Sequence, residues 1–300
     1  MPRILLLGAG GQLGAQLNRV LRAGDVELTA LGRGELDFTD SAALREAVRR
    51  ARPEILINAA AYTAVDRAEQ EQELARQVNA AAPGILAEEL VTASGGKGWL
   101  VHYSTDYVFD GSGKRPWRET DATGPLNVYG QTKLDGEAAI AATKCRHVIL
   151  RTSWVYAAEG RNFLQTMLRL GRERERLSIV DDQIGAPTSA EAIAEATRKV
   201  LGRLGDENAA EASGVYHLTC AGETSWCGFA KAIFERFQSQ QAVPEVTPIP
   251  TEAYPTPARR PKNSRLDCGK AAGRFGVQMP RWEVALDEVT ATIIAGSQEA

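Results

Sequence analysis

The chain reads as an α/β protein built on a doubly wound parallel sheet, with a smaller α/β substrate lobe formed mainly by its second half. Three observations predict this. Short apolar runs alternate with longer stretches of helical periodicity through the first 150 residues. The first run ends in a glycine-rich turn, Gly8-Ala9-Gly10-Gly11-Gln12-Leu13-Gly14, that opens a helix. After Arg151 the rhythm loosens into shorter elements and a proline-rich stretch.

Residues 3–7 (RILLL) are a continuous apolar run closed by glycine, the pattern of a strand buried on both faces. Residues 12–21 follow as a helix, and 27–31 as the second strand. Residues 41–51 are helical and 54–58 form the third strand. Residues 70–93 read as one long alanine-rich helix, and 99–103 as the fourth strand. A helix over 127–142 and a strand over 147–151 complete the regular alternation. Beyond it come a charged helix at 162–175, a strand at 177–180, a helix at 189–204, a strand at 215–219 and a helix at 225–237. Six prolines fall between Pro244 and Pro261, which predicts an irregular loop wrapping the smaller lobe. Residues 282–294 read as a closing helix. The expected division is a dinucleotide-binding domain over 1–150 and a substrate lobe mainly over 151–300, with some later segments returning to the main sheet.

Composition narrows the function classes. In 300 residues, 44% are hydrophobic and 24% charged, an ordinary globular balance with ample material for a core. A net charge of −3 argues against a nucleic-acid or anionic-membrane surface. No stretch approaches the ~20 apolar residues of a membrane helix. The opening Met1-Pro2-Arg3-Ile4-Leu5-Leu6-Leu7 has too short an apolar run for a signal peptide. Cys145, Cys220, Cys227 and Cys268 are scattered with no Cys-x-x-Cys pair, which predicts reduced thiols in a cytoplasmic protein and no structural metal.

The turn Gly8-x-x-Gly11-x-x-Gly14 leads straight from a strand into a helix. Glycine allows the backbone to turn tightly against a pyrophosphate, whose charge then faces the helix N-terminus beside Gln12 and Leu13. NAD-preferring folds place an acid at the end of the second strand. Here Gly32 stands there with Arg33 beside it. Arg33 suits a 2′-phosphate, so NADPH is the expected hydride carrier, with NADH a second one. Asp37 and Phe38 are candidates for adenine contacts. Ala61, Tyr62 and Thr63, after the third strand, are candidates for the nicotinamide ribose.

The fourth strand ends in Ser104-Thr105-Asp106-Tyr107, and ligands bind beyond the carboxyl ends of parallel strands. Tyr129 and Lys133 follow at a four-residue spacing on one helix face. A phenol, an ammonium and a nearby hydroxyl form a proton-transfer device for a carbonyl or alcohol. The cation is expected to lower the tyrosine pKa.

On these motifs the chain resembles the dTDP-4-dehydrorhamnose reductases, extended short-chain dehydrogenases/reductases. The resemblance runs through Asn58-Ala59-Ala60-Ala61-Tyr62-Thr63-Ala64-Val65-Asp66, His102-Tyr103-Ser104-Thr105-Asp106-Tyr107-Val108-Phe109 and Pro125-Leu126-Asn127-Val128-Tyr129-Gly130-Gln131-Thr132-Lys133. Arg151-Thr152-Ser153-Trp154-Val155-Tyr156, Asp182-Gln183-Ile184-Gly185-Ala186-Pro187-Thr188 and the segment from Tyr254 to Asp267 extend it. It implies a Rossmann-like fold and a Thr105, Tyr129, Lys133 catalytic triad. It also implies sugar-nucleotide contacts from Thr105, Asp106, Tyr107 and Trp154, with Arg260 near the diphosphate.

The implied reaction is NADPH-dependent reduction of the C4 ketone of dTDP-4-dehydro-L-rhamnose. Rival readings are an NAD-retaining nucleotide-sugar 4-epimerase or 4,6-dehydratase, and a non-catalytic regulatory subunit. The dehydratase reading lacks a glutamate beside Asp106. Some members of the family dimerise around magnesium held by three glutamates. The matching positions here are Gln16, Glu191 and Thr292, so magnesium is not expected and a homodimer is left open.

Overall fold

The computed structural model describes residues 1–205 and 209–298. Strand β1 (Arg3–Leu7), helix α1 (Gln12–Arg22), β2 (Glu27–Leu31), α2 (Ser41–Ala51) and β3 (Ile55–Asn58) follow in order. Short helices α3 (Val65–Ala68) and α4 (Gln72–Arg76) lead through a π turn at Gln77–Ala81 into α5 (Ala82–Ser94). Strand β4 (Trp99–Thr105), a 3₁₀ turn at Asp106–Val108, helix α6 (Val128–Ala141) and β5 (Arg146–Thr152) come next. The later elements are β6 (Val155–Tyr156), α7 (Phe163–Glu173), β7 (Arg176–Val180), β8 (Ile184–Gly185), β9 (Thr188–Ser189) and α8 (Ala190–Arg203). They end with β10 (Gly214–His217), β11 (Thr224–Ser225), α9 (Trp226–Phe237), β12 (Glu245–Ile249), α10 (Gly269–Phe275) and α11 (Trp282–Gln298).

Six parallel strands form the central sheet in the order β10-β5-β4-β3-β1-β2. The order reverses direction between β1 and β3, the switch point beside which such sheets bind ligands. Strand β1 is apolar over Ile4–Leu7 and β4 is buried along its whole length because helices cover both faces of the sheet. One face packs Ile4, Leu6, Val101, Val148 and Leu150 against Leu17, Val20, Ile193, Val200 and Phe275. The other packs Leu5, Leu7, Leu56, Leu100 and Ile149 against Leu44, Val48, Leu86 and Leu90. Helices α8 and α10 and strand β10, all from the second half, thus belong to the main layer.

The smaller lobe has its own core, in which Leu164, Met167 and Leu168 meet Phe229, Ile233 and Phe234, with Trp282, Leu286 and Val289 closing it. Tyr156 and Phe163 both pack their rings against Phe229 within it. Among the described residues no helix is long and apolar enough to cross a membrane.

Two expectations need correction. The helix expected over 70–93 is broken into α4, a π turn and α5. The π turn brings buried Asn79 inward, where Oδ1 accepts from Tyr62 N (2.8 Å) and Nδ2 donates to Tyr62 O (3.1 Å) and Thr132 Oγ1 (3.2 Å). Periodicity could not show this, since alanine suits either helix type. The segment from Pro244 to Pro261 is not wholly irregular. Its residues Glu245–Ile249 form β12, paired parallel to β7 in a two-stranded sheet, where Pro248 is tolerated at an edge.

Candidate active site

The carboxyl ends of β1, β3 and β4 converge on one cleft. Gly8 has φ +82°, and a Cβ there would lie 2.6 Å from Ala60 N, so the turns after β1 and β3 approach as closely as two backbones can. At Gly14 a Cβ would meet Gly8 O at 2.0 Å, which explains how α1 packs onto its own strand. Helix α1 has Gly11 as its N-cap with no side-chain cap, leaving first-turn N–H groups to face an anion. These features suit a dinucleotide pyrophosphate. The side chain of Gln12 is drawn elsewhere, to Arg161 O (3.2 Å) and Asn162 Nδ2 (2.9 Å), tying the loop before α7 to the glycine turn.

At the end of β2, Arg33 is exposed. An acid does stand nearby: Glu35 Oε2 accepts from Gly32 N at 2.8 Å. It lies three residues past the usual position and was missed for that reason. Asp37 Oδ1 takes the N–H and hydroxyl of Thr39 (both 2.8 Å) and so closes its own turn, while Phe38 packs toward the α2 side of the core. Tyr62 is clamped by Asn79, and its hydroxyl donates to Glu71 at 2.5 Å; Ala61 is half-buried and Thr63 exposed on the same rim.

Helix α6 carries Tyr129 and Lys133 onto the end of β4. Its N-cap Asn127 accepts from Gly130 N (2.8 Å) and donates to Arg259 O (2.7 Å) in the proline-rich segment. Farther along, buried Glu137 forms a two-point ion pair with Arg151 on β5 (2.8 and 2.6 Å) and accepts from Ser104 Oγ (2.5 Å). Ser104 is therefore committed to Glu137, and Thr105 is the hydroxyl of this strand end that lies beside the Tyr129 phenol. Thr105 Oγ1 also donates to Asp106 Oδ1 (3.1 Å). Tyr107 packs edge-on against Tyr129 at 5.6 Å.

Lys133 is buried, its Nζ donating to Tyr103 O (2.6 Å) and lying 3.2 Å from His102 Nε2. Burial pushes it down to about 8. The tyrosine shift runs opposite to expectation: burial pushes Tyr129 up to about 12. Withdrawing the phenol from water disfavours phenolate more than its surroundings stabilise it. Asp106 is pushed up to about 7 by burial, and its Oδ2 has no protein partner.

Trp154 sits in the left-handed region (φ 51°), unusual for a bulky residue, and stacks on Trp226 at 3.6 Å. Arg260 forms a two-point ion pair with Asp66 (3.0 and 2.7 Å), so it joins the proline-rich segment to the rim after β3. A cavity of about 410 Å³ lies against that segment, lined by Arg259, Arg260, Lys262, Tyr254, Gly111 and Leu126 among others. Sequence reasoning missed Asn79, Glu137, Arg151 and His102. His102 and Arg151 open two of the family-like stretches without a role assigned to them, and Asn79 and Glu137 were marked only by their polarity.

The magnesium question can be put to the donors themselves. Gln16 Oε1 accepts from Arg19 Nε (3.0 Å), Thr292 Oγ1 donates to Glu288 O (3.1 Å), and burial pushes the Glu191 carboxyl upward. One carboxyl, with two neutral side chains already hydrogen-bonded elsewhere, does not fit a hard divalent cation.

The family model for the RmlD substrate binding domain matches residues 2–294. A dTDP-4-dehydrorhamnose reductase of Burkholderia thailandensis is 47% identical, with 95% of this chain and 96% of that protein covered. That of Salmonella typhimurium is 46% identical over 94% and 95%. The crystal structure of a Bacillus anthracis dTDP-4-dehydrorhamnose reductase in complex with NADP superposes with a TM-score of 0.89, at 35% identity over 97% of this chain and 99% of that one.

Two outcomes follow from this geometry. Folding takes up a proton on Asp106 that the unfolded chain has released above pH ~4, so stability should fall as pH rises from about 4 to about 7. Asp106→Asn should remove that slope and be the more stable protein at pH 8, with the difference vanishing near pH 4; urea midpoints across the range measure it. Exhaustive EDTA treatment should leave activity and sedimentation unchanged. A magnesium-dependent change of mass would mean that other acids supply a metal site.

Proposed function

The chain belongs to the dTDP-4-dehydrorhamnose reductase family, and on that premise we propose that it reduces the C4 ketone of dTDP-4-dehydro-L-rhamnose to dTDP-L-rhamnose using Thr105, Tyr129 and Lys133. The observation that carries the reading is a Tyr129 phenol held protonated beside Thr105, at the mouth of the β1–β3 cleft. A ketone reduction needs a proton donor, and a phenol pushed up to about 12 remains a donor at neutral pH.

Gly8, Gly11, Gln12, Leu13 and Gly14 would hold the cofactor pyrophosphate, Arg33 the 2′-phosphate, and Ala61, Tyr62, Thr63 and Lys133 the nicotinamide side. When bound, NADPH supplies the hydride that adds to the carbonyl carbon. Tyr129 donates its phenolic proton to the ketone oxygen as negative charge builds there, and the Thr105 hydroxyl polarises the same oxygen. Asp106 Oδ2, buried and without a protein partner, is free to bind a sugar hydroxyl. Trp154, strained and stacked, offers a rigid aromatic edge to the sugar face. Arg259 brings a cation to the adjoining cavity, where Arg260 is paired with Asp66 and Lys262 with Asp182 and Glu252; a diphosphate bound there would compete with these carboxylates, with Tyr107 between the two regions.

The test is coupled oxidation of NADPH with enzymatically prepared dTDP-4-dehydro-L-rhamnose and NMR of the product. Stoichiometric dTDP-L-rhamnose is expected; tightly retained NAD with no net oxidation of added NADPH would favour a 4-epimerase or dehydratase. Tyr129→Phe should lower kcat by ~10²–10⁴-fold while NADPH still binds. Arg33→Ala should raise KM for NADPH by roughly 10–100-fold, the range of a charge-assisted contact, and leave KM for NADH nearly unchanged. Equal effects on the two would return Arg33 to solvent and make Glu35 the more informative ribose neighbour.

A further inference from the structure

His102, on β4, is fully buried directly behind Lys133, and the reaction as described gives it no part. Its proton can be located from its partners. Asn58 Oδ1 accepts from Ala60 N (3.1 Å), which fixes the orientation of the amide and aims Nδ2 at His102 Nδ1, 3.2 Å away. An amide N–H pointing at Nδ1 requires that nitrogen to be an acceptor. A neutral ring then carries its proton on Nε2, and Nε2 faces Lys133 Nζ at 3.2 Å. A donor facing an ammonium is unfavourable in a buried site, but a neutral amine offers a lone pair. With a neutral lysine the whole chain pairs: Ala60 N–H to Asn58, Asn58 to His102, His102 to Lys133, and Lys133 to Tyr103 O at 2.6 Å. Charging the lysine demands the other tautomer and a flipped Asn58, which would set its amide N–H against Ala60 N–H.

We propose that His102 is a positioning residue whose Nε2–H, dictated by Asn58, favours Lys133 as a neutral amine in the free protein, so that at alkaline pH cofactor binding draws about one proton from solvent onto Lys133. This deepens the reductase reading and rests on it. The nicotinamide ribose brings hydroxyl acceptors and the pyrophosphate brings negative charge, the partners an ammonium lacks in the empty cleft. The proton adds to the Nζ lone pair; His102 then carries its own proton on Nδ1 and Asn58 turns its amide, so that Nε2 accepts from the ammonium and the net change is one proton.

The groups around Lys133 agree. From α6 come Tyr129, a neutral phenol, and Glu137, whose charge is already taken by Arg151 of β5 and by Ser104. From β4 and its end come His102, which burial keeps neutral, and Asp106 next to Thr105. From β3 comes only Asn58. Lys133 itself is pushed down to about 8. Asp106, at about 7, titrates below that range, and Tyr129 above it.

Two measurements test this without turnover. The protein has three histidines, so ¹⁵N imidazole spectra of the free enzyme near pH 9 can be assigned by substitution. His102 should carry its proton on Nε2; an Nδ1–H tautomer overturns the proposal. Calorimetric titration with NADPH at pH 9, in buffers of different ionisation enthalpy, should show uptake of about 0.9 proton per cofactor, falling below about 0.2 near pH 7. His102→Gln, whose Oε1 can accept from an ammonium, should still bind NADPH but take up less than about 0.2 proton at pH 9. Uptake equal to wild type in that variant would mean that burial alone sets the lysine, and would overturn the role of His102. If the variant does not fold, the wild-type tautomer and proton count still decide. NADPH binding with no proton uptake overturns this proposal and leaves the reductase reading standing, whereas a wild-type protein that binds no NADPH overturns both.

Discussion

The buried ion pair between Glu137 and Arg151 is the contact on which the site depends. It joins the helix carrying Tyr129 and Lys133 to β5, and Ser104 extends it to β4. Both charges are almost fully withdrawn from water, so neither can be lost singly without stranding the other, a change that costs about 3–5 kcal/mol in such pairs. The guanidinium also lies 5.1 Å over the Phe109 ring, which gives its delocalised charge a second partner. With α6 fixed at this end by ions and at the other by the Asn127 cap, the phenol and amine between them have little freedom. That is the preorganisation proton transfer needs.

Parallel topology does the rest of the assembly. Every strand of the main sheet runs the same way, so the turns after β1, β3 and β4, separated by tens of residues, open on one edge. The glycine turn, the Ala59–Ala60 backbone and Thr105 therefore meet without any one segment encoding the cleft. The chain's later segments close it. Asn162 holds the Gln12 side chain, Arg259 receives the Asn127 amide, and Arg260 grips Asp66. These links are polar, and they join the later segments to the main sheet beside apolar contacts such as that of Leu266 with Val108 and Phe109.

Burial has shaped the titration of the site more than charge pairing has. A phenol kept neutral, a carboxyl raised toward neutrality and a lysine lowered toward it all follow from removing water around groups whose partners do not fully compensate. The pairing of Tyr129 with Lys133 on one helix face was legible in their spacing. The sign of the tyrosine shift was not, because spacing conveys proximity and says nothing of desolvation.

The sequence by itself determined the parallel α/β class, most of the first-half strands and helices, the glycine turn and the placement of Tyr129 and Lys133 on one helix. Each is written in local order: apolar runs buried on both faces, glycines where backbone must pass close, and a four-residue helical step. Only the tertiary structure decided what depends on contacts between distant segments. The π turn that turns Asn79 inward, the strand formed by Glu245–Ile249 despite its proline, the return of Glu35 to Gly32, and the use of Arg260 as a partner for Asp66 are of this kind. So is the hydrogen-bond chain from Asn58 through His102 to Lys133. A polar residue inside an apolar strand announces that it must be satisfied. Which residue satisfies it, and therefore which atom holds the proton, is settled only when β3, β4 and α6 are packed together, since directionality belongs to the pair and not to either sequence.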